Sequence, residues 1–174
     1  VVTQWPATLP AFAKLHDSVP ASIARFSMRL SPLSIGPDMI TDAAPHFISM
    51  LQALLGPGDC AEVAIERQRG DALVVRCSYR HAAGACAAQL LLESCDQRPR
   101  PAWYAINDLR ADRAIDMPHY QQYLVSGARR VALDDPIHLV ASQFVQALKN
   151  GALTDSSSLL AAHRNLLQLA AAWE

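Results

Sequence analysis

The stretch from Leu73 to Glu93 reads LVVRCSYRHAAGACAAQLLLE and contains two strand-like runs separated by a short turn. The runs are Leu73–Arg80 and Ala85–Glu93, and a third run, Glu62–Arg67, precedes them at similar spacing. Short turns between such runs are typical of hairpins, because antiparallel strands need only a few connecting residues. This block therefore predicts an antiparallel sheet as the centre of the fold.

Helical and further extended patterns flank the block, and they do not alternate one by one. Apolar spacing predicts four helices and four additional strand candidates. The helices are Pro10–Asp17, Asp42–Leu55, Asp135–Asn150 and Ser158–Trp173, and the strands are Ala21–Leu30, Trp103–Ile115, His119–Val125 and Arg129–Leu133. Strands grouped apart from helices predict an α+β fold, an open, mainly antiparallel sheet with helices packed on one face.

Two strands of the block are apolar on consecutive residues, at Leu73–Val75 and Leu90–Leu92. Strands of this kind are usually covered on both faces, while the predicted helices cover only one. A second copy of the chain is a natural cover for the other face. We therefore expect a homo-oligomer that forms through the exposed face of the sheet.

Composition excludes several classes of protein. The chain has 174 residues, a net charge of −1 and 51% hydrophobic residues, which is sufficient for one domain with its own core. Without a basic surplus we expect no nucleic-acid partner, and without an apolar run of about 18 residues we expect no membrane span. Four cysteines occur without a C-x-x-C pair, so we expect buried thiols, no metal site and a cytoplasmic location.

One pair of residues has the composition of an acid–base site. Asp42 and His46 are four residues apart, which puts both side chains on the same face of the predicted helix. A carboxylate next to an imidazole can orient the ring and raise its basicity, and the imidazole can then exchange a proton with a hydroxyl group. Ser49, one turn further along, is a candidate substrate contact. Two simpler interpretations stay open: Asp42 caps the helix, and His46 is a surface or packed residue.

A charged run in the Trp103–Ile115 segment also allows two interpretations. Arg110 and Arg113 are candidates for binding an anionic group. Together with Asp108 and Asp112 they would instead form a solvated strand face, since exposed ion pairs are common and contribute little to stability. The second interpretation is the one that the alternating charges favour.

Two segments resemble one family of enzymes. The stretch Asp42–Gly56, DAAPHFISMLQALLG, is similar to the D-x-x-x-H and apolar helix that open the C-terminal domain of the glucose–fructose oxidoreductase/inositol dehydrogenase family. Phe144–Gly151, FVQALKNG, resembles that family's F-x-x-A-I-x-x-G helix. The resemblance implies a substrate-binding and oligomerisation domain of an NAD(P)-dependent oxidoreductase that acts on a sugar, polyol or related hydroxy compound. In it, Asp42 and His46 would line the substrate pocket, with His46 as the acid–base residue.

The family's nucleotide-binding features are missing from this chain. None of its seven glycines forms G-x-G-x-x-G, and the family's E-K-P motif is also absent. We therefore expect residues 1–20 to be a crossover from a missing nucleotide-binding domain, and residues 21–174 to be one α+β domain. By itself the chain would bind no NAD or NADP and would be inactive. The alternative is a non-catalytic dimerisation or interaction module of the same fold.

Overall fold

A computed structural model describes residues 4–151 and 156–173, and within these residues one eight-stranded sheet forms the centre of the molecule. The strand order is β2-β3-β4-β1-β5-β6-β7-β8. Only β1 and β4 run parallel among the paired strands described, and the other six pairs are antiparallel. The strands are β1 Arg25–Leu30, β2 Gly58–Arg67, β3 Leu73–His81, β4 Gly84–Leu92, β5 Trp103–Ile106, β6 Leu109–Asp116, β7 Gln121–Ser126 and β8 Arg129–Ala132.

Helices cover one face of this sheet. They are a 3-10 helix, Trp5–Thr8, and four α-helices, α1 Leu9–His16, α2 Asp38–Leu55, α3 Pro136–Lys149 and α4 Ser156–Ala171. The first, α1, packs on β6 to β8, while α2 packs on β1 and β4, and α4 packs on β2 and α2. The predicted α+β class, with an open and mainly antiparallel sheet and helices on one side, is confirmed. In the described ranges, no helix combines the length and apolarity that crossing a bilayer requires.

Alternation along the strands explains which face the helices cover. On β1, the side chains of Phe26, Met28 and Leu30 are buried in the core, and the residues between them point to the opposite face. The same period of two continues across the sheet, as expected for a half-covered strand. One continuous apolar core therefore lies between the sheet and α1, α2 and α4.

The predicted strand Trp103–Ile115 was wrong in one respect, because it is two strands joined by a tight turn. Asn107 has a φ of 54°, in the left-handed region that asparagine tolerates better than most residues. Its side-chain oxygen accepts hydrogen bonds from the backbone N–H of Ala24 and Arg25, at 2.9 and 3.1 Å. The turn is therefore attached to the start of β1, next to which β5 pairs.

Helix α2 begins at Asp38, four residues before the predicted start at Asp42. Its first turn is anchored because Met39 and Ile40 are buried in the core. Pro37 occupies the position before the helix, where the absence of a backbone N–H costs nothing. As a result Asp42 lies in the second turn, and the interpretation that it caps the helix is wrong.

The segment before Pro20 was predicted to lead from a missing domain. The side chains of Trp5, Phe12 and Leu15 are buried in the same core as the strands. The described part of this segment is thus a component of the one folded unit. Its relation to another domain stays a prediction.

The cysteines match the expectation of buried thiols in three of four positions. Cys60, Cys77 and Cys86 are buried and Cys95 is partly exposed, and all four are free. Burial raises the pKa of the Cys86 thiol to about 11, so that this group stays protonated at neutral pH.

Candidate functional site

A cavity of about 410 Å³ opens where α2, the end of β1, the loop before β5 and strand β6 meet. It contains both members of the predicted acid–base pair. Two arginines from elsewhere in the chain also line it. The lining residues are Trp5, Leu30, Ser31, Pro32, Leu33, Asp42, Ala43, His46, Arg100, Ala102 and Arg113.

His46 lies on α2 and is partly buried in the cavity wall. The pKa of its imidazole is lowered, first by burial and second by the positive charge of Arg113. Its Nδ1 atom is buried and has no hydrogen-bond partner. At neutral pH the ring is therefore uncharged, which is the state in which it can accept a proton.

Asp42 lies on the same cavity but is exposed, and it is engaged elsewhere. Its Oδ2 atom accepts a hydrogen bond from the hydroxyl of Ser34 at 2.5 Å. Because Nδ1 of His46 has no partner, the predicted orienting hydrogen bond between the two side chains is not formed in this structure. The structure brings the pair to one cavity, and the role of Asp42 as orienting partner stays a prediction.

Ser49 is not one of the residues that line the cavity. Its hydroxyl donates a hydrogen bond to the backbone carbonyl of His46, at 2.8 Å, one turn earlier in α2. This is a common way for a helical serine to satisfy its hydroxyl group. A contact between Ser49 and a substrate stays a prediction for which this geometry offers no direct support.

Arg113 is the site residue that sequence reasoning placed on the wrong face. It pairs with Leu124 on the helix-covered side of the sheet, and its guanidinium lies 5.4 Å from the centre of the Trp5 ring. One amino group donates to the carbonyl of Arg100 at 3.0 Å. Burial, and then the charge of Arg100, lower the pKa of Arg113.

Arg110, three residues earlier, is on the solvated face as expected. It makes two hydrogen bonds to the carboxylate of Asp112, at 3.0 and 2.6 Å. Because side chains alternate between the two faces of a strand, Arg110 and Arg113, three residues apart, point to opposite faces of the sheet. Arg113 shares its face with Ala111, which is fully buried. Counting that alternation from Ala111 would have identified Arg113 as an inward-facing charge.

Comparison with known proteins identifies the fold. No protein-family model and no curated protein matches this sequence. Among solved structures, the chain is similar to an oxidoreductase from Thermotoga maritima, with 10% identity over 99% of this chain and a TM-score of 0.56. UDP-N-acetylglucosamine 3-dehydrogenase GnnA from Acidithiobacillus ferrooxidans matches with 18% identity over 97% and a TM-score of 0.57. The dehydrogenase MviM from Clostridium difficile matches with 8% identity over 95% and a TM-score of 0.54.

The chain has the fold of a dehydrogenase C-terminal domain. It spans only 59% of the length of each of these three proteins. This dehydrogenase C-terminal-domain fold is the one that the resemblance of Asp42–Gly56 and Phe144–Gly151 implied, and that expectation is confirmed.

The sequence lacks the Gly-rich turn of a Rossmann-type dinucleotide site. In that fold the turn joins a strand to a helix as G-x-G-x-x-G, and no such motif occurs in the sequence. In the described ranges, no group of three His, Cys, Asp or Glu residues is placed to hold a metal ion.

Proposed function

We propose that this chain is the substrate-binding domain of a two-domain NAD(P)-dependent oxidoreductase that acts on a sugar, polyol or related hydroxy compound. One observation carries the proposal. His46, uncharged at neutral pH, lines a cavity of about 410 Å³ in a fold that the chain shares with oxidoreductases. Cavities of about 300–1,000 Å³ are the usual size for binding one small molecule.

In this proposal His46 acts as the general base and acid. An uncharged imidazole would accept the hydroxyl proton of the substrate and return it in the reverse direction. We expect Asp42, whose carboxylate lines the same cavity, to stabilise the imidazolium once it forms. Asp42 would thus act by stabilising the protonated ring, whichever ring nitrogen takes the proton.

The nicotinamide cofactor would be held outside this chain. The structures it resembles are longer, and the sequence here lacks the Gly-rich turn of a Rossmann-type dinucleotide site, so another part of a larger protein would have to bind NAD or NADP. The isolated chain would accordingly have no dehydrogenase activity of its own. UDP-N-acetylglucosamine 3-dehydrogenase, one of the proteins with this fold, acts on a sugar nucleotide according to its name.

The test begins with the polypeptide from which this chain comes. Its mass and its upstream reading frame would reveal a strand–G-x-G-x-x-G–helix unit if one is present. Sugars and polyols would then be assayed with NAD⁺ and NADP⁺ by absorbance at 340 nm. Replacement of His46 by Gln should lower kcat by about 10²–10⁴-fold, the usual contribution of a positioned acid–base group.

A matched control is His163→Gln. His163 is exposed on α4 and does not line the cavity, so its replacement should leave kcat unchanged. Undiminished turnover by the His46 variant would remove His46 from the mechanism. Absence of any nucleotide-binding unit upstream would instead favour the non-catalytic interaction module.

A further inference from the structure

We infer, on the basis of the proposed function, that the substrate carries an anionic group, a carboxylate or a phosphate, which Arg100 and Arg113 bind inside the cavity. Ser31 would contribute a hydroxyl to the same group. The site thus selects an acidic or phosphorylated hydroxy compound over a neutral sugar or polyol.

The unsatisfied polar atoms of the structure converge on this one cavity. Among the described residues, four buried side-chain atoms have no hydrogen-bond partner: Ser31 Oγ, His46 Nδ1, Arg100 Nε and Arg113 Nε. All four residues line the same cavity. Buried polar groups in folded proteins are nearly always paired with protein, water or ligand, so this cluster is a place where a polar ligand would find several hydrogen-bond partners.

The chemistry of these atoms specifies the charge of that ligand. A guanidinium Nε–H can only donate a hydrogen bond, and a hydroxyl can also donate. The side chains of Arg100, Arg113 and Ser31 therefore offer mainly donors to the cavity, and a group with several acceptor oxygens and no competing donor is their complement. Carboxylate and phosphate groups meet that description, and arginine is the side chain best shaped to bind them.

Among the residues that the structure describes, no carboxylate fills this role. Asp42 is the acidic residue that lines the cavity, and it already accepts the hydroxyl of Ser34. Elsewhere in the described residues, eight arginines form ion pairs with a carboxylate, and neither Arg100 nor Arg113 is among them. The cavity thus keeps two guanidinium groups without a carboxylate partner, and a bound anion would offset the cost of burying the charge of Arg113.

The position of the two arginines relative to His46 fits a small substrate. Arg113 is close enough to His46 for its charge to lower the pKa of the ring. A compound held by its anionic group at Arg100 and Arg113 would therefore present a neighbouring hydroxyl to His46 within the same cavity. A sugar acid or a sugar phosphate carries both an anionic group and hydroxyl groups.

The experiment uses the chain itself and three probes: D-glucuronate, D-glucose 6-phosphate and D-glucose, at equal ionic strength. Binding is followed by NMR through the Nε–H resonances of the arginines and quantified by calorimetry. We expect the resonances of Arg100 and Arg113 to shift with at least one anionic probe and not with glucose. The resonance of Arg110, which already binds Asp112, should not move. Comparing the affinity for glucuronate with the affinity for glucose 6-phosphate distinguishes a carboxylate site from a phosphate site.

Two variants test the assignment further. Arg113→Gln should weaken binding of the anionic probe about tenfold or more, as expected when one charged hydrogen-bond donor is lost. Arg110→Gln, on the opposite face of the same strand, should leave it unchanged. Because the NMR comparison uses the unaltered chain, it stands even if the Arg113 variant fails to fold.

Binding of glucose as tightly as glucuronate and glucose 6-phosphate would overturn the inference, as would absence of any shift at Arg100 and Arg113 with both anionic probes. Neither result depends on hydride transfer. Anion binding without turnover in the longer protein would contradict the proposed function alone. Turnover of neutral sugars without any anion effect would contradict only the present inference.

Discussion

Asn165 on α4 offers a test of how the helix layer is held against the sheet. Its side chain is completely buried, accepts a hydrogen bond from the N–H of Cys60 at 2.7 Å and donates one to the carbonyl of Gly58 at 2.9 Å. Both partners are backbone groups of β2, which is the edge strand of the sheet, so that none of the described strands pairs with its outer side. The asparagine amide therefore takes the place that a ninth strand would occupy.

Replacing Asn165 by Leu keeps most of the volume and removes both hydrogen bonds. Each bond is worth about 1 kcal/mol, and leaving a buried N–H or carbonyl unpaired adds about 1–3 kcal/mol. Because Cys60 is only 2% exposed, water cannot easily replace the lost partner. The expected loss is about 2–4 kcal/mol in the free energy of unfolding.

Urea unfolding, followed by circular dichroism, would measure this loss as a lower midpoint at unchanged slope. Hydrogen exchange at the amide of Cys60 should accelerate in the same variant. Gln168→Leu on an exposed position of α4 is the control and should stay within about 0.5 kcal/mol of the parent. A variant at Asn165 as stable as that control would refute the reasoning that α4 is anchored through these two bonds.

Three other predictions concern the backbone, the pH response and the open face of the sheet. Gly58→Ala should cost about 1–3 kcal/mol in urea unfolding, because an added Cβ meets the carbonyl oxygen of Arg80 and the backbone has to shift; an unchanged midpoint would contradict this close approach. Stability should fall as the pH drops below about 6.5, the ordinary pKa of histidine, because the folded state lowers the pKa of His46 and so resists its protonation. In the His46→Gln variant the difference between the urea midpoints at pH 7.5 and pH 5.5 should be smaller than in the parent. An equal difference in the two proteins would assign the pH effect to other groups. If a second copy packs on the open face, light scattering should show an oligomer that Ala87→Arg converts to a monomer, and a monomeric parent chain at about 100 µM would refute that prediction.

Much of the fold was predictable because period-two alternation and short turns are local signals. The hairpin of β3 and β4 and the helix at Asp135 follow directly from them, and the side chain of Asp135 does accept the N–H of Ile137 at 2.9 Å. The turn at Asn107 escaped notice because its flanking strands together look like one extended run. Its conformation depends on contacts with residues some 80 positions earlier in the chain.

The candidate site was only half predictable. The spacing of Asp42 and His46 is a local feature of one helix, and the structure places both on one cavity. Arg100 lies in a loop and Arg113 on a strand, so their meeting depends on the tertiary fold. Arg113 was expected to pair with Asp112, its neighbour in the sequence. Adjacent residues of a strand point to opposite faces, so Arg113 faces the core side with Ala111 instead.

The position of β1 has a consequence for how the molecule is made. This strand comes first in the sequence but lies between β4 and β5 in the sheet, with Phe26 opposite both Ala88 and Ile106. The growing polypeptide must therefore extend by roughly 80 residues beyond β1 before this strand can acquire both neighbours. Until then at least one edge of β1 has no partner strand, and an unpaired strand edge is a site for aggregation and chaperone binding during synthesis.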